Sequence, residues 1–124
     1  MSHTDEGADA LAAFRAYRER MNAEILAQNN LVINRFFALD GRAYEAGVLD
    51  ARTKELLGLV ASMVLRCDDC ITYHLIRCRE EGVTSPEAME AMSVALVVGG
   101  SIVIPHLRRA VDEWRALQAE PGRE

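Results

Sequence analysis

No stretch of this chain is apolar for long enough to cross a bilayer. The longest apolar runs, Leu56–Leu65 and Val94–Ile104, fall short of the ~18 residues that a spanning helix needs. Basic stripes are missing too: the net charge is −5 and Arg stands beside Glu throughout, so neither nucleic acid nor a membrane surface is an expected partner. Cysteine is scarce, and three residues in a chain of 124 do not make a disulfide framework. No segment sustains the period-two alternation of a half-buried strand, which removes the βαβ setting of a thioredoxin-like protein. Aromatic residues are few, at 6%, against 50% apolar residues overall, so the core must be built from aliphatic side chains and Met. Repeats and low-complexity segments are absent. The polar, acidic start Met1–Glu6 is unlike a signal peptide, and residues 1–7 are expected to be disordered. These exclusions leave a soluble cytoplasmic protein folded as one domain over residues 1–124.

What is there reads as helix. From Ala8 to Gln28, Leu11, Phe14, Tyr17, Met21 and Ile25 recur three or four apart, as on one face of an amphipathic helix. Leu31–Leu39 predicts a second, shorter helix, Asp40-Gly41 a turn, and Arg42–Gly47 another helical turn. Asp50 is placed as the N-cap of a helix that is apolar nearly all round from Leu56 to Leu65. The polar cluster Arg66–Asp69 breaks that run, and the following helix is stopped by Gly82. Thr84-Ser85-Pro86-Glu87 fits a capping box for the next helix, and Gly99-Gly100 separates that one from a last helix carrying Leu107, Val111, Trp114 and Leu117. The predicted class is an all-α helical bundle. Two runs as apolar as Leu56–Leu65 and Val94–Ile104 are hard to cover within one small domain, which predicts an oligomer.

The chemistry gathers between Asp50 and Gly82. At ~100° per residue, Cys67, Cys70, His74 and Cys78 share one helix face. A Cys67–Cys70 disulfide closes so short a loop that the chain-entropy model gives it only about 2 kcal/mol, so stability is a poor reason for the pair. Reversible redox chemistry or metal ligation is a better one. If the chain reverses near Leu65, Glu55 and His74 face each other across a helical hairpin. A carboxylate can then hold one imidazole nitrogen and leave the other to exchange a proton with Cys70, four residues back. Both cysteines fall at a helix start, where the dipole favours a thiolate, while Asp68 and Asp69 are expected to be exposed and screened. Cys70, one turn from His74, is expected to be the activated and more shielded thiol, and Cys67 the more exposed one.

The compound pattern Glu55-x11-Cys67-x2-Cys70-x3-His74 resembles the signature of the alkylhydroperoxidase AhpD-like family, within the carboxymuconolactone decarboxylase superfamily. Leu49–Leu56 ahead of the motif and Gly99-Gly100 after it are similar too, and the resemblance runs roughly from Leu39 to Leu117. It implies an all-helical subunit that assembles as a homotrimer or homohexamer with sites near its interfaces. It also implies reduction of a hydroperoxide or disulfide by the two cysteines, with Glu55 and His74 as proton relay and a dithiol or lipoyl-type molecule as reductant. Neither a cofactor nor a metal is implied. Decarboxylase members of the superfamily lack the cysteine pair, which argues against that activity here. Cys78 and the Asp68-Asp69 spacer depart from the family pattern.

Other readings compete with this one. A metal site could draw on Cys67, Cys70, His74 and either Cys78 or His106, although one helix presents tetrahedral ligands poorly at such spacing. A non-catalytic helical oligomer could keep the motif as a remnant or a ligand pocket. Taken singly, Cys78 reads as a small core residue, His106 as core, interface or pocket lining, and Glu55 as a first-turn acid on a helix.

Overall fold

The computed structural model of the protein describes residues 3–121, and among these it has six α-helices and no strand. The class is the predicted one. The contacts group into two compact units, Met1–Glu45 and Ala46–Glu124.

The first unit holds α1 (His3–Ala27) and α2 (Leu31–Ala43). Residues 3–7, expected to be disordered, are helical; the rest of that expectation, Met1 and Ser2, lies outside the described residues. The acidic Glu6 suits the partial positive charge of a helix N-terminus. Asn29 adopts a left-handed conformation at φ 58°, and Asn30 then caps α2 by accepting the Ile33 N–H at 3.0 Å. The turn expected at Asp40-Gly41 does not form, because α2 continues to Ala43. A glycine inside a helix costs only about 1 kcal/mol, too little to break one already under way. The helical turn expected over Arg42–Gly47 is correspondingly reduced to Arg42 and Ala43.

The second unit contains α3 (Ala51–Leu65), α4 (Asp68–Glu80), α5 (Ser85–Gly99) and α6 (Ile104–Ala119). Its caps follow the sequence closely. Asp50 Oδ1 accepts the Thr53 N–H at 2.7 Å at the head of α3, and that hydrogen bond holds the Asp50 carboxyl below its usual range. At the head of α5, Thr84 and Glu87 form the reciprocal capping box, at 3.3 and 2.9 Å. Between α3 and α4 the chain reverses within two residues. Arg66 takes a left-handed conformation at φ 60°, and the N–H groups of Arg66 and Cys67 return to the carbonyls of Met63 and Ser62. This tight connection lays α3 and α4 side by side; α5 packs on α3, and α6 on α4. Leu59, Met63, Ile71, Leu75, Met92 and Leu117 are fully buried and form the core. A short 3-10 turn, Ser101–Val103, joins α5 to α6, and a side chain on Gly99 would collide with Val103, 2.5 Å from where its Cβ would stand.

Candidate active site

The hairpin of α3 and α4 sets the register of the site. Glu55 lies one and a half turns into α3, 1% exposed, too deep to be the first-turn acid that its position suggests when taken singly. His74 lies in the middle of α4 and is 7% exposed. Nδ1 of His74 meets Oε1 of Glu55 at 2.8 Å, so the pair expected to face each other across the turn does so. Holding Nδ1 in this way leaves Nε2 as the nitrogen that can exchange a proton with a reacting group. The imidazole fits because position 58, one turn after Glu55, is glycine. A Cβ on Gly58 would stand 2.5 Å from Cε1, 2.7 Å from Nε2 and 2.8 Å from Nδ1 of the ring.

The two sulfurs lie at the open end of the same helix. Cys67 is the N-cap of α4 in an extended conformation, and its Sγ accepts the Cys70 N–H at 3.4 Å. Cys67 Sγ and Cys70 Sγ are 2.8 Å apart, both as thiols, close enough for a proton to lie between them. The expected difference in shielding is reversed, since Cys70 is exposed and Cys67 half-buried. The cause is the cap itself: an N-cap side chain folds back over the helix end, whereas a first-turn residue projects outward. Cys78, four residues beyond His74, is fully buried, and burial together with the nearby Glu55 charge pushes its thiol up to about 12. Such a thiol is an inert core group, as the sequence suggests.

Several contributors were not visible in the sequence. Asp68, inside the CxxC spacer and expected to be exposed and screened, is instead held from α6. His106 Nδ1 meets its Oδ1 at 2.7 Å, and Arg109 Nη1 donates to its Oδ2 at 3.3 Å. One turn along, the Thr72 hydroxyl reaches Glu113 Oε1 at 2.7 Å, and burial raises the Glu113 carboxyl above its usual range. The motif helix is therefore pinned to α6 on the side away from α3. Arg77, one turn past His74, brings Nε to 3.5 Å from Glu55 Oε2 and also binds Glu80 and Glu81. Among the described residues no three or more His, Cys, Asp and Glu side chains are grouped so as to hold a metal ion, and His106, considered as a fourth ligand, is turned to Asp68.

The profile of the carboxymuconolactone decarboxylase family matches residues 31–113, which include every residue of the site. A crystal structure from Thermotoga maritima superposes with a TM-score of 0.84 at 56% identity, covering 86% of this chain and 93% of that one. A second crystal structure of the same protein, at a TM-score of 0.82, describes it as a member of that family with a suggested part in the antioxidative response. A Legionella pneumophila member of the family, 24% identical, shares the fold at a TM-score of 0.75 over 89% of this chain and 96% of its own. An uncharacterised protein of the cox locus of Paracoccus denitrificans is 34% identical over 76 residues, 61% of this chain and 68% of that protein.

Proposed function

This chain belongs to the carboxymuconolactone decarboxylase family, and from that premise we propose that it is a thiol-dependent reductase of hydroperoxides. The observation that carries the proposal is the buried Glu55–His74 contact at 2.8 Å, set one helical turn from a pair of thiols whose sulfurs nearly touch. A structural ion pair has no need of paired thiols beside it, and paired thiols kept for stability contribute little at this spacing. The suggested antioxidative part of the Thermotoga relative points the same way.

In the proposed cycle Cys70, exposed and one turn before His74, attacks the terminal oxygen of the hydroperoxide as a thiolate. An S–O bond forms, the O–O bond breaks, and the alkoxide leaves as an alcohol with a proton from the His74 imidazole. Cys67 then attacks the sulfenic sulfur of Cys70, and the hydroxide displaced takes up the Cys67 proton and leaves as water. Two thiols have given two electrons to the peroxide and become a disulfide. An external dithiol, of the lipoyl type by family resemblance, restores them by exchange. Glu55 keeps the His74 tautomer fixed and stabilises the imidazolium in each proton transfer. The reducing surroundings that such a cycle needs fit a cytoplasmic protein, and no helix among the described residues is long and apolar enough to cross a membrane. We assign the active form to a homo-oligomer, since a broad apolar face on α3 and α5 stays exposed in the single chain, and to a homotrimer or homohexamer by family resemblance.

Thiol titration before and after one equivalent of a small hydroperoxide tests the cycle. The native protein should lose two thiols together and keep Cys78. Cys67→Ser should stop at a sulfenate on Cys70, trapped by a dimedone-type reagent. No loss of thiol in the native protein would leave a non-catalytic helical oligomer, and a sulfenate confined to Cys67 would exchange the two roles.

A further inference from the structure

The cycle above uses Oε1 of Glu55 and gives its other oxygen nothing to do. That oxygen, Oε2, is buried and has no hydrogen-bond partner. A carboxylate so deep in a protein gains little from a neutral imidazole alone, and a buried charge is tolerated only where a counter-charge stands beside it.

We propose that Arg77 is the third member of the relay, a positioning residue that supplies the counter-charge to the Glu55 carboxylate and thereby sets how tightly the Glu55–His74 pair holds its proton. This rests on the reading of that pair as the proton relay. Arg77 follows His74 by three residues on α4, so one helix presents both the imidazole and a cation to the same carboxylate of α3. Its Nε stands 3.5 Å from Glu55 Oε2, a distance at which charge acts strongly within a buried setting. The guanidinium is fixed from its other side, with Nη1 on Glu80 and Nη2 on Glu81. An arginine can serve three carboxylates at once because its donors fan out in a plane. Burial pulls the Arg77 proton affinity down, but Glu80, Glu81 and the Glu55 charge more than restore it, and the group stays cationic.

The other charged groups around Glu55 do not supply this role. Arg52, on α3, is paired with Glu87 of α5. Cys78, on α4, feels the Glu55 charge but keeps its proton to about 12. Glu80 and Glu81 are negative and act only through Arg77. Removing the Arg77 charge should therefore make the pair bind its proton more tightly, whether that proton rests on His74 or on Glu55.

The test is an NMR titration of the His74 imidazole in the full-length protein. In Arg77→Gln the midpoint should rise by about one pH unit, a tenfold gain in proton affinity and the low end of what a cation this close produces. The acid limb of the thiol–peroxide rate profile should move up with it. Arg77→Lys, which keeps the charge, should titrate closer to the native protein than Arg77→Gln does. A folded Arg77→Gln protein with an unmoved midpoint overturns the proposal, as does a Lys variant that behaves like Gln. If Arg77→Gln does not fold, the Glu80→Gln, Glu81→Gln double variant decides. Freed from those partners, Arg77 acts on Glu55 alone and the midpoint should fall, and a static or rising midpoint overturns the assignment. The imidazole titration does not need peroxide turnover. Thiols that ignore peroxide would remove the proposed function and leave this result standing, whereas active thiols with an unmoved midpoint would remove Arg77 alone.

Discussion

A methyl group at position 58 would stand 2.5 Å from the His74 ring, and Gly58→Ala should have two opposing effects. Alanine in place of a mid-helix glycine favours the helix by about 1 kcal/mol. The same methyl drives the imidazole off Glu55, because three atoms of the ring would stand within 2.8 Å of it. The expected variant melts close to the native protein but reduces peroxide at least ~10-fold more slowly, the low side of general acid–base effects. Stopped-flow rates beside a thermal melt check this, and a more stable Gly58→Ala protein with native rates would contradict it. Glu55→Gln should slow the same step by at least ~10-fold with the fold intact; an unchanged rate with a lowered melting temperature would reduce Glu55 to a packing group. The two positions differ in how they could be found. Glu55 and His74 were legible because chemistry-bearing residues at fixed spacing around a chain reversal announce themselves. Gly58 carries no chemistry, and its only signal was a small residue one turn after Glu55 in an otherwise bulky apolar run. Arg77, three residues past His74, was hidden among the many arginines of helix surfaces.

At the scale of the element, the informative case is α4 and its fastening to α6. Asp50, Gly82 and the Thr84–Glu87 box could be read from sequence because caps are local, each partner within a few residues of the next. The Asp68–His106 and Thr72–Glu113 contacts join positions 38 and 41 residues apart, and no periodicity encodes which outward-facing residues of two helices will meet. The turn at Asp40-Gly41 failed for the opposite reason, a local preference overruled by a helix already formed around it. Glu113 gives this fastening a pH dependence. Burial raises its folded carboxyl above the unfolded value, so its protonated form is favoured by folding. Its contribution is fully present below the ordinary carboxyl pKa and fades as pH rises through the folded one. Glu113→Gln, which removes that titration and can still accept from Thr72, should match the native protein in acid and exceed it in melting temperature near neutrality. Melts across pH 4–8 would show it, and a Gln variant less stable than the native protein at pH 7 would mean that the ionised carboxylate is the form the fold prefers.

For the whole molecule, the question is what covers the apolar surface. Leu57, Leu65, Val94, Val97, Val98 and Ile102 are all more than half exposed, and Leu57, Leu65, Val94 and Val98 line one groove on α3 and α5. The apolar runs in the sequence foretold the surplus, because a helix apolar on every side cannot bury every side in one small unit. In the first unit α2 buries none of its residues, and Val32, Phe36 and Leu39 are among those exposed. Patches of this kind mark surfaces made for association. Light scattering at micromolar concentration should therefore give a homo-oligomer, and Val98→Arg should shift it toward smaller species by setting a charge within the apolar groove. A native monomer at that concentration would contradict the assembly.

Cys67 does two jobs with one atom: its sulfur receives the Cys70 amide in the first turn of α4 and also takes part in the thiol pair. Forming the disulfide draws this sulfur toward Cys70 Sγ and out of its free-thiol position, so turnover must disturb the backbone as well as the side chains. The oxidation state is thus written into an amide proton. Hydrogen exchange at Cys70 should quicken when the pair is oxidised and slow again on reduction, giving a label-free record of the cycle at a single peptide bond.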